Sequence, residues 1–410
     1  MAAHAPMQLS ISTKPVNNGA NALGLGLTPP VTPTLDGRSA DSANTSSATL
    51  SSAGAYTSGA VYSHTNPPQF HDELEYELDG KGRHVAFGSG AWSVVYKAFA
   101  SPRTNPSPAM TRPLTPPSSP VTKGRLVAVK SPGRRDAKAV LYAEARALTR
   151  ASCVPGSERH IVPFHGYIAE SSTIVMGAVP LSLSSYIEEK SRFAQQNFST
   201  RTMFDPVLGI PQWHDLAKKL IASLSWLHEQ AQIVHGDIKP HNILLRPCLS
   251  INFEDASDTT SNEPFPYEPL LADFSSAHCT APESTEESEP STALSAVTPP
   301  FTAPELLRAL SSPDPITPAP ASDVFSMAVT LLAAATGDLM IYSGFSPAQR
   351  LMVAKDGHMV IDFARSSGAN GTRVPKNGIV EKIVKPGIAK DPAMRVSCGE
   401  WLQLAGSISA

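Results

Sequence analysis

Hydrophobic positions along this chain change their spacing from one end to the other. The early runs GAWSVVYKAFA (residues 90–100), RLVAVK (125–130) and TIVMGAVP (173–180) are rich in valine and aromatic residues and predict strands. Further on the spacing becomes helical. VLYAEARALT (140–149) places Leu141, Ala145 and Leu148 on one side, and Trp213 to His228 sets Trp213, Leu216, Leu220, Leu224 and Leu227 three and four residues apart. The run from Val324 to Ala335 is apolar on every side, the pattern of a helix buried inside a larger lobe. Strands early and helices late predict an α+β chain with a small, mostly β lobe followed by a larger helical one.

Four stretches lack either period. Residues 1 to about 68 are rich in Ala, Ser, Thr, Asn, Gly and Pro and lack hydrophobic periodicity, so they bury too little surface to offset ordering entropy and are expected to be disordered. Residues 101–123 read as a Pro-rich insert in a hairpin. Residues 247–268 and 280–296, the second carrying PESTEESEP, read as solvated loops. The expected ordered domain is therefore 69–408, with an N-lobe over about 76–179 and a C-lobe over about 180–408.

Composition narrows the function classes. With 410 residues, 41% of them hydrophobic, the chain can bury a substantial core, and the 38 prolines are unevenly spread, so part of that length is not globular. A net charge of -3 without a sustained basic block gives no footprint for nucleic acid or a polybasic membrane contact. Four cysteines, Cys153, Cys248, Cys279 and Cys398, form no CxxC pair and are expected as reduced thiols. The N-terminus has no apolar signal core, Ala2 departs from the myristoylation pattern, and the longest apolar run is too short to span a bilayer, so a cytoplasmic or nuclear location is expected.

The chemistry concentrates in IVHGDIKPHNILL, Ile233 to Leu245. Asp237 can accept a proton from an attacking hydroxyl, Lys239 can sit over a transferring phosphoryl group, and Asn242 can hold a divalent ion. In FGSGAWSVVYKA, Gly88 and Gly90 can bring backbone N–H groups up to phosphate oxygens. Lys130, at the end of LVAVK, needs a carboxylate to orient it, and Glu144 lies on the following helix.

Together these runs resemble the serine/threonine protein kinases of eukaryotic type, in family order from about Tyr76 to Ala405. The resemblance implies a bilobal fold, ATP and Mg2+ as cofactors, and a protein substrate. It makes Gly88, Ser89, Gly90, Ala91 and Val95 the phosphate-covering loop, with Ser93 where the family has its third glycine. Lys130 then holds the α- and β-phosphates, positioned by Glu144. Met176 takes the gatekeeper position, backbone groups of Gly177 and Val179 face adenine, and Val95, Ala128 and Leu244 sandwich the base. LLADFSSAH resembles the D-F-G motif with Ser275 for Gly, making Asp273 a magnesium ligand beside Asn242 and packing Phe274 on His235. VTPPFTAPE resembles the end of an activation segment: Thr298 joins Lys239 in the serine/threonine pattern, Glu305 pairs with Arg395, and Asp323 braces the catalytic loop.

Gly236 stands where the family has Arg before the catalytic Asp, so one guanidinium of the usual phosphate pocket is absent. Activity independent of activation-segment phosphorylation is expected, with Ser284, Thr285 and Ser288 at most modulatory. His160, His165, His214 and His228 are expected to be structural. Two other readings remain open at this point: a kinase-like scaffold with weak catalysis, given the departures at Ser93, Gly236 and Ser275, and a small-molecule phosphotransferase, since that class also carries H-G-D followed by Asn.

Overall fold

In a computed structural model of the chain, the described residues are 66–103, 124–248, 264–280, 297–310, 316–366 and 368–408. The first lobe is an antiparallel sheet. Strands β1 (Glu73–Tyr76), β2 (Ala86–Ser89), β3 (Ser93–Ser101) and β4 (Arg125–Pro132) lead into helix α1 (Ala137–Ser152), and β5 (Phe164–Ile168) and β6 (Thr173–Gly177) follow. The order is β1-β3-β4-β6-β5, with β2 paired to β3. Alternation explains the sheet's two faces. Ala98, Ala100, Val127, Val129 and Val175 form a small cluster on one face, while Ile174 and Met176 belong to the main core with α1.

The second lobe carries α2 (Leu183–Gln196), α3 (Ile210–Ser225), the short strands β7 (Ile233–Val234), β8 (Ile243–Pro247), β9 (Tyr267–Leu271) and β10 (His278–Cys279), and helices α4 (Pro304–Ala309) and α5 (Pro320–Thr336). It closes with α6 (Pro347–Ala354), α7 (Val360–Ser366), α8 (Ile379–Val384) and α9 (Cys398–Ser407). Helix α5 starts with Pro320 in its first turn, which loses no hydrogen bond there, and every residue from Ser322 to Thr336 is buried. The apolar run at 324–335 is thus the central helix, and α3 packs on it through Trp213, whose indole N–H donates to Leu331 O at 2.9 Å.

Several boundaries differ from those read off the sequence. The fold takes in residues assigned to the tail: Pro68 O accepts from Tyr167 N at 2.8 Å, and Asn66 Oδ1 accepts from the Tyr142 hydroxyl at 3.1 Å. Ser101, placed in the Pro-rich insert, pairs with Glu73 in the sheet. Pro247, Tyr267 and Glu268, placed in a loop, close the β8–β9 hairpin, with Pro247 opposite Tyr267 and Arg246 opposite Glu268. Main-chain pairing recruits these residues, and it leaves no trace in side-chain pattern. The helix expected to run to His228 is α-helical only to Ser225 and continues as a π turn over Trp226–Gln230. The wider turn lets the Trp226 indole donate to Pro155 O while His228 reaches Asp323. The centres of the insert and of the two polar loops, residues 1–65, and Ser284, Thr285 and Ser288 lie outside the described residues.

Candidate active site

The strand pairing of β3, β4 and β6 brings the first lobe's chemistry to one edge. Val95 lies opposite Lys130, and Ala128 lies opposite Met176. Lys130, 4% exposed, points from β4 to α1, where its ammonium reaches both oxygens of Glu144 at 2.7 Å. The same nitrogen donates to Asp273 Oδ1 at 2.8 Å. One buried cation therefore joins a strand, a helix and the segment after β9.

Charge balance follows from this triangle. Burial by itself would push the Lys130 ammonium down, but Asp273 and Glu144 outweigh it and hold it above its ordinary value. Burial also disfavours the charged Asp273, yet Lys130 dominates and keeps that carboxylate below its usual range. Glu144 goes the other way: burial pushes it up to about 7 against the pull of Lys130. Asp273 keeps 40% of its side chain open to the cleft and has a left-handed φ of 61°, a conformation uncommon for a residue with a Cβ. Phe274 fixes it from behind, its N–H donating to Glu144 Oε1 at 3.2 Å and its ring lying 4.9 Å from that of His235.

The catalytic loop is held from below. Asp323, buried on α5, accepts from the N–H groups of His235 and Gly236 at 2.7 and 2.9 Å and from His228 at 3.0 Å. His235, fully buried, bonds Ala272 O through Nε2 while Nδ1 accepts from the Asp237 N–H. Asp237 emerges above this base. Its Oδ2 accepts from Lys239 at 2.6 Å and from the Asn242 amide at 3.0 Å, and Lys239 also donates to the Thr298 hydroxyl at 3.1 Å. Burial raises the Asp237 carboxyl, with Lys239 opposing. A carboxylate shifted upward and paired on one oxygen suits acceptance of a proton at the other.

The residues expected to act together are assembled here: Lys130, Glu144, Asp237, Lys239, Asn242, Asp273 and Thr298. Glu305 and Arg395 also meet, in two parallel bonds of 2.7 Å that tie α4 to the segment before α9. The Gly177 N–H donates to Pro163 O at 2.8 Å. Met176 and Ala128 are nearly buried and Leu244 half-buried, beside that edge.

The turn expected to cover phosphates is open around its two glycines. Neither Gly88 nor Gly90 has a left-handed φ; a Cβ added at Gly88 would meet nothing within 4 Å, and one at Gly90 only Ser93 O at 4.0 Å. Neither backbone conformation nor internal packing demands glycine there. Gly236 is the opposite case. Its φ is 78°, and a Cβ would lie 2.6 Å from Ser276 O, so the segment after Asp273 is packed directly on its Cα. β10 continues this contact, with His278 opposite Val234 and Cys279 opposite Ile233, and the Thr280 N–H donates to Gln232 O at 2.9 Å.

Sequence reasoning missed the link from α9 to this base. Cys398 Sγ lies 3.4 Å from His228 Nδ1, whose other nitrogen meets Asp323. Nothing in spacing could join positions 170 residues apart. His228, expected to be structural, is part of what holds Asp323.

The family model of the protein kinase domain matches residues 120–404, more than half of the chain. The chain belongs to the protein kinase family. The match begins after the glycine-rich loop, which the insert between β3 and β4 separates from the rest in sequence and the β3–β4 pairing rejoins in space. No curated protein matches the chain. Membership carries the bilobal fold, a transferase with protein substrates, and ATP binding; among the described residues no helix is long and apolar enough to cross a membrane.

Proposed function

We propose that this chain is a catalytically competent serine/threonine kinase that transfers the γ-phosphoryl group of ATP, with Mg2+, to hydroxyls of protein substrates. The observation that carries the proposal is a pair of side-chain networks, Glu144–Lys130–Asp273 and Asp237 with Lys239 and Asn242, brought together by the main-chain bond from Ala272 N–H to Asn242 O. No group with a direct chemical role in the family is missing from it. Asp237 orients the acceptor hydroxyl and takes its proton. Lys239 and Lys130 balance phosphate charge, and Glu144 positions Lys130. The open space over Gly88 and Gly90 fits phosphate oxygens approaching a bare backbone.

The donor set also fits magnesium. Asn242 spends its amide nitrogen on Asp237, leaving its oxygen, and Asp273 presents a carboxylate to the cleft: two hard oxygens, to which substrate phosphates and water add the rest. When bound, the ion supplies charge neutralisation at the phosphates. The Lys239–Thr298 bond supports the serine/threonine assignment, and the Glu305–Arg395 pair argues against a small-molecule phosphotransferase.

Transfer from MgATP should be measured on a peptide library and on small alcohols. Peptides phosphorylated on Ser and Thr are expected, with Asp237→Asn slower by about 10²- to 10⁴-fold. Equal turnover in Asp237→Asn, or transfer to alcohols alone, would overturn the proposal.

A further inference from the structure

The turn between β2 and β3 is closed at its tip by the Gly90 N–H, which donates to Ser93 O at 2.8 Å. Ala91 and Trp92 form that tip. Pairing of β3 with β4 runs to Ser93 opposite Pro132, and the next residue, Gly133, donates its N–H to Trp92 O at 2.8 Å. Arg134 then folds back so that its guanidinium carbon lies 4.0 Å from the centroid of the Trp92 ring. The same guanidinium pairs with Asp136, Nε to Oδ1 at 2.7 Å, and Asp136 is the residue immediately before α1.

Two of these contacts, Gly133 N–H to Trp92 O and Arg134 over the Trp92 ring, join the same two segments, and Asp136 fixes Arg134 within the second. One is the phosphate-covering loop, and the other leads into the helix that carries Glu144. The indole N–H of Trp92 is buried without a partner, so Arg134 and apolar packing hold the ring there rather than a hydrogen bond. Tilting the loop away from the cleft would separate the ring from the cation and break the Gly133 bond together.

We propose that Trp92 and Arg134 form a latch that holds the phosphate-covering loop against the start of α1, making both of them positioning residues for the phosphates of a bound nucleoside di- or triphosphate. The inference rests on the kinase reading above and adds to it where the loop's position is set. An unlatched loop must be ordered by each incoming nucleotide, so affinity falls, while Asp237 and Lys130 are untouched and the chemical step is spared.

The test uses the full chain and the variants Trp92→Ala, Trp92→Phe, Arg134→Ala and Trp92→Ala/Arg134→Ala. Each Ala variant should raise KM for MgATP about tenfold and change kcat less than threefold, and the double variant should be no worse than either alone. Trp213, Trp226 and Trp401 are buried, so the emission lost in Trp92→Phe reports on the loop. MgADP should alter that emission, and in nucleotide-free protein Arg134→Ala should shift it to the red. Unchanged nucleotide affinity in Arg134→Ala, or strictly additive losses in the double variant, would overturn the latch. Absence of any MgADP effect on the wild-type thermal midpoint would instead overturn the kinase reading, and an unshifted Trp92 emission in nucleotide-free Arg134→Ala would overturn the contact by itself.

Discussion

Replacing Gly236 by Arg would restore the family's usual residue before the catalytic Asp, and the structure predicts that it damages the protein. Two costs add. A side chain at a φ of 78° costs roughly 1–2 kcal/mol in backbone energy. A Cβ placed 2.6 Å from Ser276 O must also push the segment after Asp273 away, an overpacking cost of about 1–3 kcal/mol. The sum is about 2–5 kcal/mol, already incurred by Ala, and the longer Arg side chain does not relieve it. Gly344 supplies the control, since it has a φ of 90° with nothing within 4 Å of its Cβ position, so Gly344→Ala incurs the backbone cost alone. Urea unfolding of Gly236→Ala, Gly236→Arg and Gly344→Ala separates the two. The Gly236 variants should lose 1–3 kcal/mol more than Gly344→Ala, by about the overpacking range. They should also lose kcat more than tenfold, because Ser276 lies three residues after Asp273. Equal losses at 236 and 344, or a stable and fully active Gly236→Arg, would refute the reasoning.

Other expectations follow from the same contacts. Asp237→Ala and Lys130→Met should each lower kcat at least a hundredfold in a peptide assay; Lys130→Met also leaves Glu144 facing Asp273 without a cation, so its stability deficit should grow as the pH rises above about 7, read from thermal midpoints. Asp323→Ala orphans the backbone N–H groups of buried His235 and part-buried Gly236 and should cost about 2–5 kcal/mol in urea unfolding, with a loss under about 1 kcal/mol counting against the bracing role. Burial opposes ionisation of Glu305, but Arg395 outweighs it and holds the carboxyl below its ordinary 4.5. A depressed folded value means stability that is present above the unfolded value and lost as pH falls through the folded one, so the deficit of Glu305→Gln in urea unfolding should be constant from pH 8 to 5 and close below about 4.5. Phosphatase treatment should leave kcat/KM within about threefold, because main-chain contacts to Gly236, Ile233, Val234 and Gln232 already dock the segment after Asp273; a hundredfold drop would contradict this.

The sequence by itself determined the class of fold and most of the site. Periods of two and of three to four survive in the residues wherever one face is buried, which is why β3, β4, α1, α3 and α5 were legible. The catalytic loop was legible too, because Asp237, Lys239 and Asn242 lie within one turn of chain and their chemistry shows in their identities. Helices α6 to α9 are short and mixed in composition, and no pattern announced them. Tertiary structure decided what depends on distance between remote positions. It showed that Gly236 is not merely a missing arginine but a bare Cα under Ser276. It showed that His228 belongs to a buried chain from Cys398 to Asp323, and that Trp92 is fastened to Arg134. Each of these is a contact between segments that local propensity cannot encode, since the energy of a close approach exists only when both surfaces are in place.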